Sequence, residues 1–307
     1  MNAAPLLLAY TATVGFVAPP LVLRAAWPHR APALALLVWH TLTLSFALGA
    51  ALTVYHLLMP AVHTHEGLLG LLHSCGLDLG LGPGASGPDR DIAGRLAVGV
   101  PAALGTALTG SFAFHVVRAR RARARHREAV DLVGRRCVRL GATVLPYDVP
   151  AAYCLPGHRP RIVISDAAVR ELSPEQLAAV LAHERAHVAG RHHLVIAAAA
   201  AFHSLFPRLP LARHARAQTT LLLEMVADDR ALRTHSDSAL ASAMYEMAAA
   251  RTPKDAFAAG GPAVLLRIRR VLGPRPPAHR ALRGSVAAVI ATVPLLPLLV
   301  ACPLGAA

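Results

Sequence analysis

The chain has very little lysine and few acidic residues. Lys254 is its only lysine, and aspartate and glutamate together number 17 among 307 residues. Charged residues make up 16% of the chain, compared with roughly 25% in a typical soluble domain. The formal net charge of +14 comes almost entirely from arginine. A basic chain can bind nucleic acid, but the arginines cluster beside apolar segments, and no nucleic-acid partner is expected.

Cysteine is scarce as well. Cys75, Cys137, Cys154 and Cys302 are widely separated, and no two of them form a CxxC pair. This distribution indicates neither a disulfide framework nor a zinc site built from thiolates.

Long apolar segments, by contrast, are abundant. Hydrophobic residues make up 55% of the chain, and the mean hydropathy is +0.46. A transmembrane helix needs about 20 apolar residues, and four charge-free stretches meet that requirement, at about residues 4–23, 33–59, 96–117 and 284–307. The first lacks a basic leader, so we interpret it as a retained span rather than a signal peptide. Pro294 and Pro297 should kink the last one.

The loops between these segments predict an orientation in the cell membrane. Arg24 and Arg30 follow the first segment, and the arginine-rich run RARRARARHR follows the third, whereas the intervening loop is mainly acidic. The positive-inside rule places residues 118–283 in the cytoplasm and both termini outside it. The sequence therefore predicts a multi-pass protein with a membrane region over residues 1–117 and a final span after residue 283. Residues 60–92, rich in Gly and Pro, are expected to be a flexible connector.

The cytoplasmic segment has the pattern of an α+β domain within a mainly α membrane protein. A helix is expected to continue from the third span to Cys137. Proline and glycine then separate three short β-like stretches, at Ala142–Leu145, Ala152–Leu155 and Arg161–Ser165. The remainder is helical, and the 14-residue apolar run Leu194–Pro207 predicts a buried core helix or one that touches the membrane.

One predicted helix carries metal-binding chemistry. Ser173 and Gln176 form a capping box at its start, and Gly190 is a suitable stop. Within the helix, the motif HERAH places two histidines on one face, four residues apart, and a glutamate beside them. Histidines at this spacing can bind one zinc ion, and the glutamate can act as general base. With 17 histidines and seven glutamates in the chain, chance would give roughly 0.02 such motifs.

A catalytic zinc ion also needs a third protein ligand. The segment TTLLLEMVADDRAL predicts a later helix in which Glu224 and Asp228 lie one turn apart. Glu224 could bind the metal, and Asp228 could then accept a hydrogen bond from a ligating histidine. The alternative is a solvated acidic face that also includes Asp229.

The combination of HERAH with EMVAD resembles the HExxH…ExxAD pattern of membrane-embedded gluzincin peptidases. Two groups share this pattern, the BlaR/MecR-type antirepressor metallopeptidases and the HtpX-type quality-control proteases, and the resemblance spans about residues 140–283. Three spans before the domain and one after it resemble the BlaR/MecR arrangement. The chain ends after the fourth span without a β-lactam-binding domain, so drug sensing is not expected. The resemblance implies one Zn²⁺ per chain, held by His183, His187 and Glu224, with Glu184 as general base and Asp228 in support.

These observations predict a zinc metalloendopeptidase that cuts a protein substrate, with a transcriptional repressor as one candidate partner. The alternatives are an HtpX-like quality-control protease and a non-catalytic membrane sensor with a structural zinc ion. A metal transporter is disfavoured, because ionisable residues are absent from the centres of the spans. The candidates for stabilising the oxyanion are Tyr245, His235, Arg267 and Arg280.

Two further expectations concern the surroundings of the motif. His192 and His193 follow the helix stop, and we expect them at the membrane interface rather than among the ligands. The stretch Arg161–Ser165 could pair with an extended peptide substrate, or it could be an ordinary core strand.

Overall fold

The protein is described by a computed structural model that covers residues 3–58, 88–250, 261–274 and 280–301. The described residues are mostly helical, with one small sheet. The connector expected over residues 60–92 lies almost entirely outside the described residues.

Within the described parts of the chain, three helices are long and apolar enough to cross a membrane. They are α1 (Ala4–Arg24), α2 (Pro32–Leu58) and α3 (Pro88–Val133). Helix α1 contains a π-helical segment at Thr13–Val17. Helix α3 runs without interruption through the arginine-rich segment, so the prediction that a helix continues beyond the third apolar stretch is confirmed as far as Val133.

The C-terminal apolar stretch forms two shorter helices. Helix α10 (Arg280–Thr292) and helix α11 (Leu296–Ala301) are separated by a turn that contains Pro294. Neither of them is long enough to cross a bilayer alone. The fourth span, the side of the membrane and the domain boundaries therefore remain predictions.

A four-stranded sheet follows α3. Its strands are β1 (Arg135–Cys137), β2 (Ala142–Leu145), β3 (Ala152–Leu155) and β4 (Arg161–Ser165). The three strands expected from the sequence are confirmed with their predicted bounds. Strand β1 corrects the prediction of helix up to Cys137, because this short segment pairs antiparallel with β2.

The strand order is β1-β2-β4-β3. Strand β4 pairs parallel with β2 on one side and antiparallel with β3 on the other. Both edges of β4 are therefore occupied, so of the two alternatives left open for this stretch the structure supports the core strand and not pairing with a substrate. Strand β3 is the edge of the described sheet on that side.

Six helices separate the sheet from α10. They are α4 (Asp166–Glu171), α5 (Pro174–Ala189), α6 (His192–Leu205), α7 (Pro210–Ala231), α8 (Asp237–Ala249) and α9 (Gly261–Leu272). Helix α5 begins with the predicted capping box, in which the Ser173 side chain accepts from the Gln176 backbone and the Gln176 side chain accepts from the Ser173 backbone.

Helices α6 and α7 pack against the membrane-type helices. The ring of Phe46 on α2 meets the rings of Phe202 and Phe206 edge to face, at centroid distances of 6.0 and 5.6 Å. Gly15 of α1 lets Leu209 approach closely, since a Cβ there would lie 3.1 Å from the Leu209 Cδ1 atom. Buried Trp39, Leu222 and Met225 belong to the same core, which joins α2 to α7.

A second core lies between the sheet and α5. Ile162 and Ile164 of β4 pack there with Leu177 and Leu181 of α5. The first core thus packs α7 against the membrane-type helices, and the second core packs α5 against the sheet. The predicted site residues lie where α5 meets α7.

Candidate metal centre

Helix α5 presents the two motif histidines on one face. The helix period places residues four apart one above the other, and the Nε2 atoms of His183 and His187 lie 3.1 Å apart. Both side chains are largely buried, with 10% and 13% of their surface exposed. Arg185 points away from them, is exposed and donates to the Leu140 carbonyl.

Helix α7 brings the carboxylate of Glu224 to the same point. Its Oε2 lies 3.5 Å from the His183 Nε2, and its Oε1 lies 3.4 Å from the His187 Nε2. Among the described residues these three form a group that could hold a metal ion. Zinc binds nitrogen and oxygen ligands at about 2.0–2.1 Å, so a tetrahedral site has ligand atoms about 3.3 Å apart. The observed separations fit that geometry, and Glu224 is the most exposed of the three.

Asp228 and Arg267 lie behind these ligands. Asp228, one turn after Glu224 on α7, is fully buried, and its Oδ1 lies 3.0 Å from the His183 Nδ1. Arg267 of α9 donates from Nε and Nη2 to the two oxygens of Asp228, at 2.8 and 2.7 Å. Its Nη1 lies 2.8 Å from the Oε2 of Glu224. One guanidinium therefore bridges the carboxylates of Glu224 and Asp228.

These contacts shift the protonation equilibria of the metal-free site. Burial alone would lower the pKa of His183, but the carboxylates of Asp228 and Glu224 outweigh it and raise that pKa to about 9. Burial would raise the pKa of Glu224, yet the hydrogen bond with His183 and the charge of Arg267 lower it to about 2. The pKa of Asp228 is lowered in the same way, against burial, by Arg267 and His183.

His192 belongs to this site and not to the membrane interface, which corrects the expectation from the sequence. It is 4% exposed, and its Nδ1 lies 2.8 Å from the Nδ1 of His187. Burial, followed by the charges of His187 and Arg230, lowers the pKa of His192 to about 4. The ring is therefore neutral near pH 7 and can accept a hydrogen bond. Its neighbour His193 lies near Arg123 and Arg120 of α3 instead, and burial and then these charges lower its pKa.

Glu184 lies on the side of the site that faces the sheet. Its carboxyl group lies close enough to the thiol of Cys154 on the edge strand β3 for each group to shift the pKa of the other. Burial raises the pKa of Glu184, and the nearby charge of His183 offsets part of that rise. Burial and then Glu184 raise the pKa of Cys154 to about 12, so this thiol remains protonated and can donate. Nothing in the sequence pattern linked Cys154 to the motif.

The four predicted oxyanion stabilisers occupy different places. Arg267 lies in the site, with its guanidinium directed at Asp228 and Glu224. Tyr245 is 60% exposed on α8, and His235 lies in the turn before α8; neither contacts the three ligands among the described interactions. The side chain of Arg280 lies outside the described residues.

The model of Peptidase family M48 matches residues 127–220, which include α5 and its motif. No curated protein and no solved structure matches the chain. The match supports a metallopeptidase hydrolase and a metal-dependent site. It ends before Glu224, so the third ligand rests on the geometry.

Proposed function

We propose that the protein is an integral-membrane zinc metalloendopeptidase with its active centre between α5 and α7. The observation that carries this proposal is the convergence of three ligand atoms, from His183, His187 and Glu224, at separations of 3.1 to 3.5 Å. A glutamate that is not needed as a ligand lies next to them on α5. A purely structural metal site would not require that additional carboxylate.

The donor set fits zinc. Two imidazoles and one carboxylate leave a fourth position open, which is the arrangement of catalytic rather than structural zinc. Zinc held there would polarise the carbonyl of the scissile peptide and make a water molecule at the open position more acidic. Glu224 is the ligand with the most solvent access, which agrees with water reaching the centre from its side.

Glu184 would move the proton. As a carboxylate it takes a proton from the attacking water molecule, and as a carboxylic acid it delivers that proton to the nitrogen of the leaving amine. The environment suits both roles, because burial raises its pKa while the neighbouring Cys154 thiol favours its charged form. Arg267 is assigned to holding Glu224 and Asp228, since its bonds go to their carboxylates.

A peptide substrate has a natural place at β3. This strand is the edge of the described sheet and packs next to α5. An extended peptide could add its backbone to that edge and present one peptide bond to the centre. Main-chain pairing of this kind recognises protein substrates with little dependence on sequence.

The charge distribution supports a side of the membrane for the catalytic region, and that side suggests a class of substrate. The arginine-rich half of α3 favours a cytoplasmic catalytic region by the positive-inside rule, where a transcriptional repressor would be within reach. An HtpX-like role in membrane-protein quality control would use the same centre. The two roles differ in substrate, and identification of proteins that accumulate when the enzyme is inactive would separate them.

The proposal is tested with the detergent-solubilised full chain. Glu184→Gln should keep about one zinc ion per chain but hydrolyse a fluorescently labelled unfolded protein about 10²- to 10⁴-fold more slowly, because only proton transfer is removed. Glu171→Gln, an exposed glutamate at the end of α4, is the control and should match the wild type. Glu224→Ala should lose zinc, whereas Asp229→Ala should retain it. Equal hydrolysis by wild type and Glu184→Gln would contradict the peptidase assignment, and zinc retained in Glu224→Ala would contradict the ligand assignment.

A further inference from the structure

His192 is brought to the metal centre by an unusual turn between α5 and α6. Helix α5 ends at Ala189, and only two residues separate it from His192 at the start of α6. The second of them, Arg191, has φ 48° and ψ 37°, and it is the one residue other than glycine with a positive φ in the described part of the chain. A left-handed conformation at arginine is disfavoured, and such residues persist where the surrounding structure requires them.

The first linker residue, Gly190, provides the space for His192. Its φ of −77° and ψ of −4° are accessible to any residue, so the glycine is not required by the backbone. A Cβ at this position would lie within 2.5 Å of the His192 Cδ2 and closer still to its Nε2. The missing side chain at residue 190 is thus what allows the His192 ring to fold back onto α5.

The folded ring contacts one particular nitrogen. The Nδ1 atoms of His192 and His187 lie 2.8 Å apart, and the two rings are nearly perpendicular, at 85°. The other nitrogen of His187, Nε2, faces His183 and Glu224 at 3.1 and 3.4 Å. His187 is therefore held between the centre on one side and His192 on the other.

This arrangement defines the tautomer that His187 needs. A ligand nitrogen must present its lone pair, so a neutral His187 that binds metal through Nε2 carries its proton on Nδ1. Nδ1 then donates to the lone pair of the His192 Nδ1, and the proton of His192 lies on Nε2. Asp228 occupies the equivalent place behind His183. Outer partners of this kind fix the orientation of metal-binding histidines.

We propose that His192 is a positioning residue that accepts a hydrogen bond from His187 and so holds this imidazole ready to bind the metal through Nε2. The inference rests on the proposed function, because it assumes that His187 is a ligand. It adds a residue that neither the motif nor the pattern of the later helix contains. It also means that the two ligating histidines have different partners, a carboxylate for His183 and a neutral imidazole for His187.

The test compares two substitutions of His192. In His192→Asn the side-chain oxygen can occupy the place of Nδ1 and still accept a hydrogen bond, whereas His192→Leu fills a similar volume without an acceptor. Zinc affinity is measured on the solubilised full chain by competition with a chromophoric chelator, and the absorption spectrum of the cobalt-loaded protein reports ligand geometry. His193→Leu, the adjacent histidine, is the matched control.

We expect His192→Leu to weaken zinc binding about 10- to 100-fold and to change the cobalt spectrum. His192→Asn should stay within about threefold of the wild type, as should the control. Equal weakening in both variants would show a packing role and overturn the inference, as would a His192→Leu affinity within threefold of the wild type. A wild-type chain that binds no zinc would overturn the proposed function itself, and the inference with it.

Gly190→Ala offers an independent check. The backbone accepts alanine, so its main effect should be to displace the His192 ring and weaken zinc binding by a similar factor. In the His192→Leu background the same change should cost little more, because the contact has already been removed. If the fold-loss of zinc affinity in the double variant equalled the product of the losses in the two single variants, residue 190 would not act through His192. That result would count against the inference.

Discussion

Asp228 is a buried carboxylate that faces nitrogen atoms of two other side chains, Arg267 and His183. It has no exposed side-chain surface, it receives two hydrogen bonds from Arg267, and it faces the Nδ1 of His183 at 3.0 Å. In Asp228→Asn one oxygen becomes an NH₂ donor. Whichever way the amide is turned, that NH₂ faces a donor of Arg267 or of His183. Removing one partner from a buried ionic pair costs about 3–5 kcal/mol of folding stability.

The effect of this substitution on zinc should depend on pH. Loss of the partner behind a ligating histidine weakens metal binding about 10- to 100-fold, or about 1.4–2.8 kcal/mol. The same carboxylate also helps to raise the pKa of His183 to about 9, so protons compete with zinc at neutral pH in the wild type. In Asp228→Asn the pKa of His183 should be lower, so protons should compete less with zinc near pH 7. This gain should offset part of the loss of zinc affinity at that pH. The full loss should appear above about pH 9, where His183 is neutral in both proteins.

The assay is chelator competition at both pH values, with thermal unfolding of the metal-free protein alongside it. Asp229→Asn is the control, because Asp229 is the next residue but pairs with Arg270 and is 39% exposed, and a pair of that kind contributes about 1 kcal/mol or less. A zinc affinity of Asp228→Asn within about threefold of the control at high pH would refute the support role. A lower melting temperature with unchanged zinc affinity would leave Asp228 a purely structural residue.

Two further predictions concern the same cluster. Since His183 must lose its proton before it binds metal, the zinc affinity of the wild type should rise about tenfold per pH unit between pH 7 and pH 9 and then level off; a flat profile measured by competition would contradict the raised pKa of His183. Arg267→Met should lower the melting temperature of the metal-free protein by about 10 °C, because it leaves the Asp228 carboxylate buried without its cation, whereas Arg170→Met at an exposed pair should change it by about 2 °C or less. Equal changes of melting temperature in the two variants would show that the buried pair contributes no more to folding stability than the exposed pair does.

Local signals in the sequence predicted the elements that carry the motif. The strands β2, β3 and β4 are short apolar stretches between prolines and glycines, and helix α5 begins at a capping box, so each is specified within a few residues of itself. Strand β1 has no such signal. Its arginines look like a continuation of the charged helix α3, and only pairing with β2 makes the segment extended.

The role of Gly190 shows why His192 could not be predicted. A glycine after a helix commonly adopts the left-handed conformation that ends it. Here Gly190 remains right-handed, and Arg191 takes the left-handed conformation. The glycine is needed because a side chain at residue 190 would collide with the ring of His192. This requirement can be recognised only when the position of that ring is known. Cys154 is a similar case, because its contact with Glu184 depends on how β3 packs against α5.

The position of the candidate third ligand, Glu224, also depends on the fold and could not be predicted from the sequence alone. The sequence can nominate Glu224 from its spacing to Asp228, but 36 residues lie between it and His187, and no local rule fixes their distance. That distance is set where two cores meet, because α5 is packed on the sheet through Leu177 and Leu181, whereas α7 is packed on the membrane-type helices through Leu222 and Met225. The separations of 3.5 and 3.4 Å between Glu224 and the two histidines, which cross this boundary, require both cores to be formed. The candidate metal centre therefore depends on the packing between the membrane-type helices and the sheet, and an isolated segment that contained only the motif would lack it.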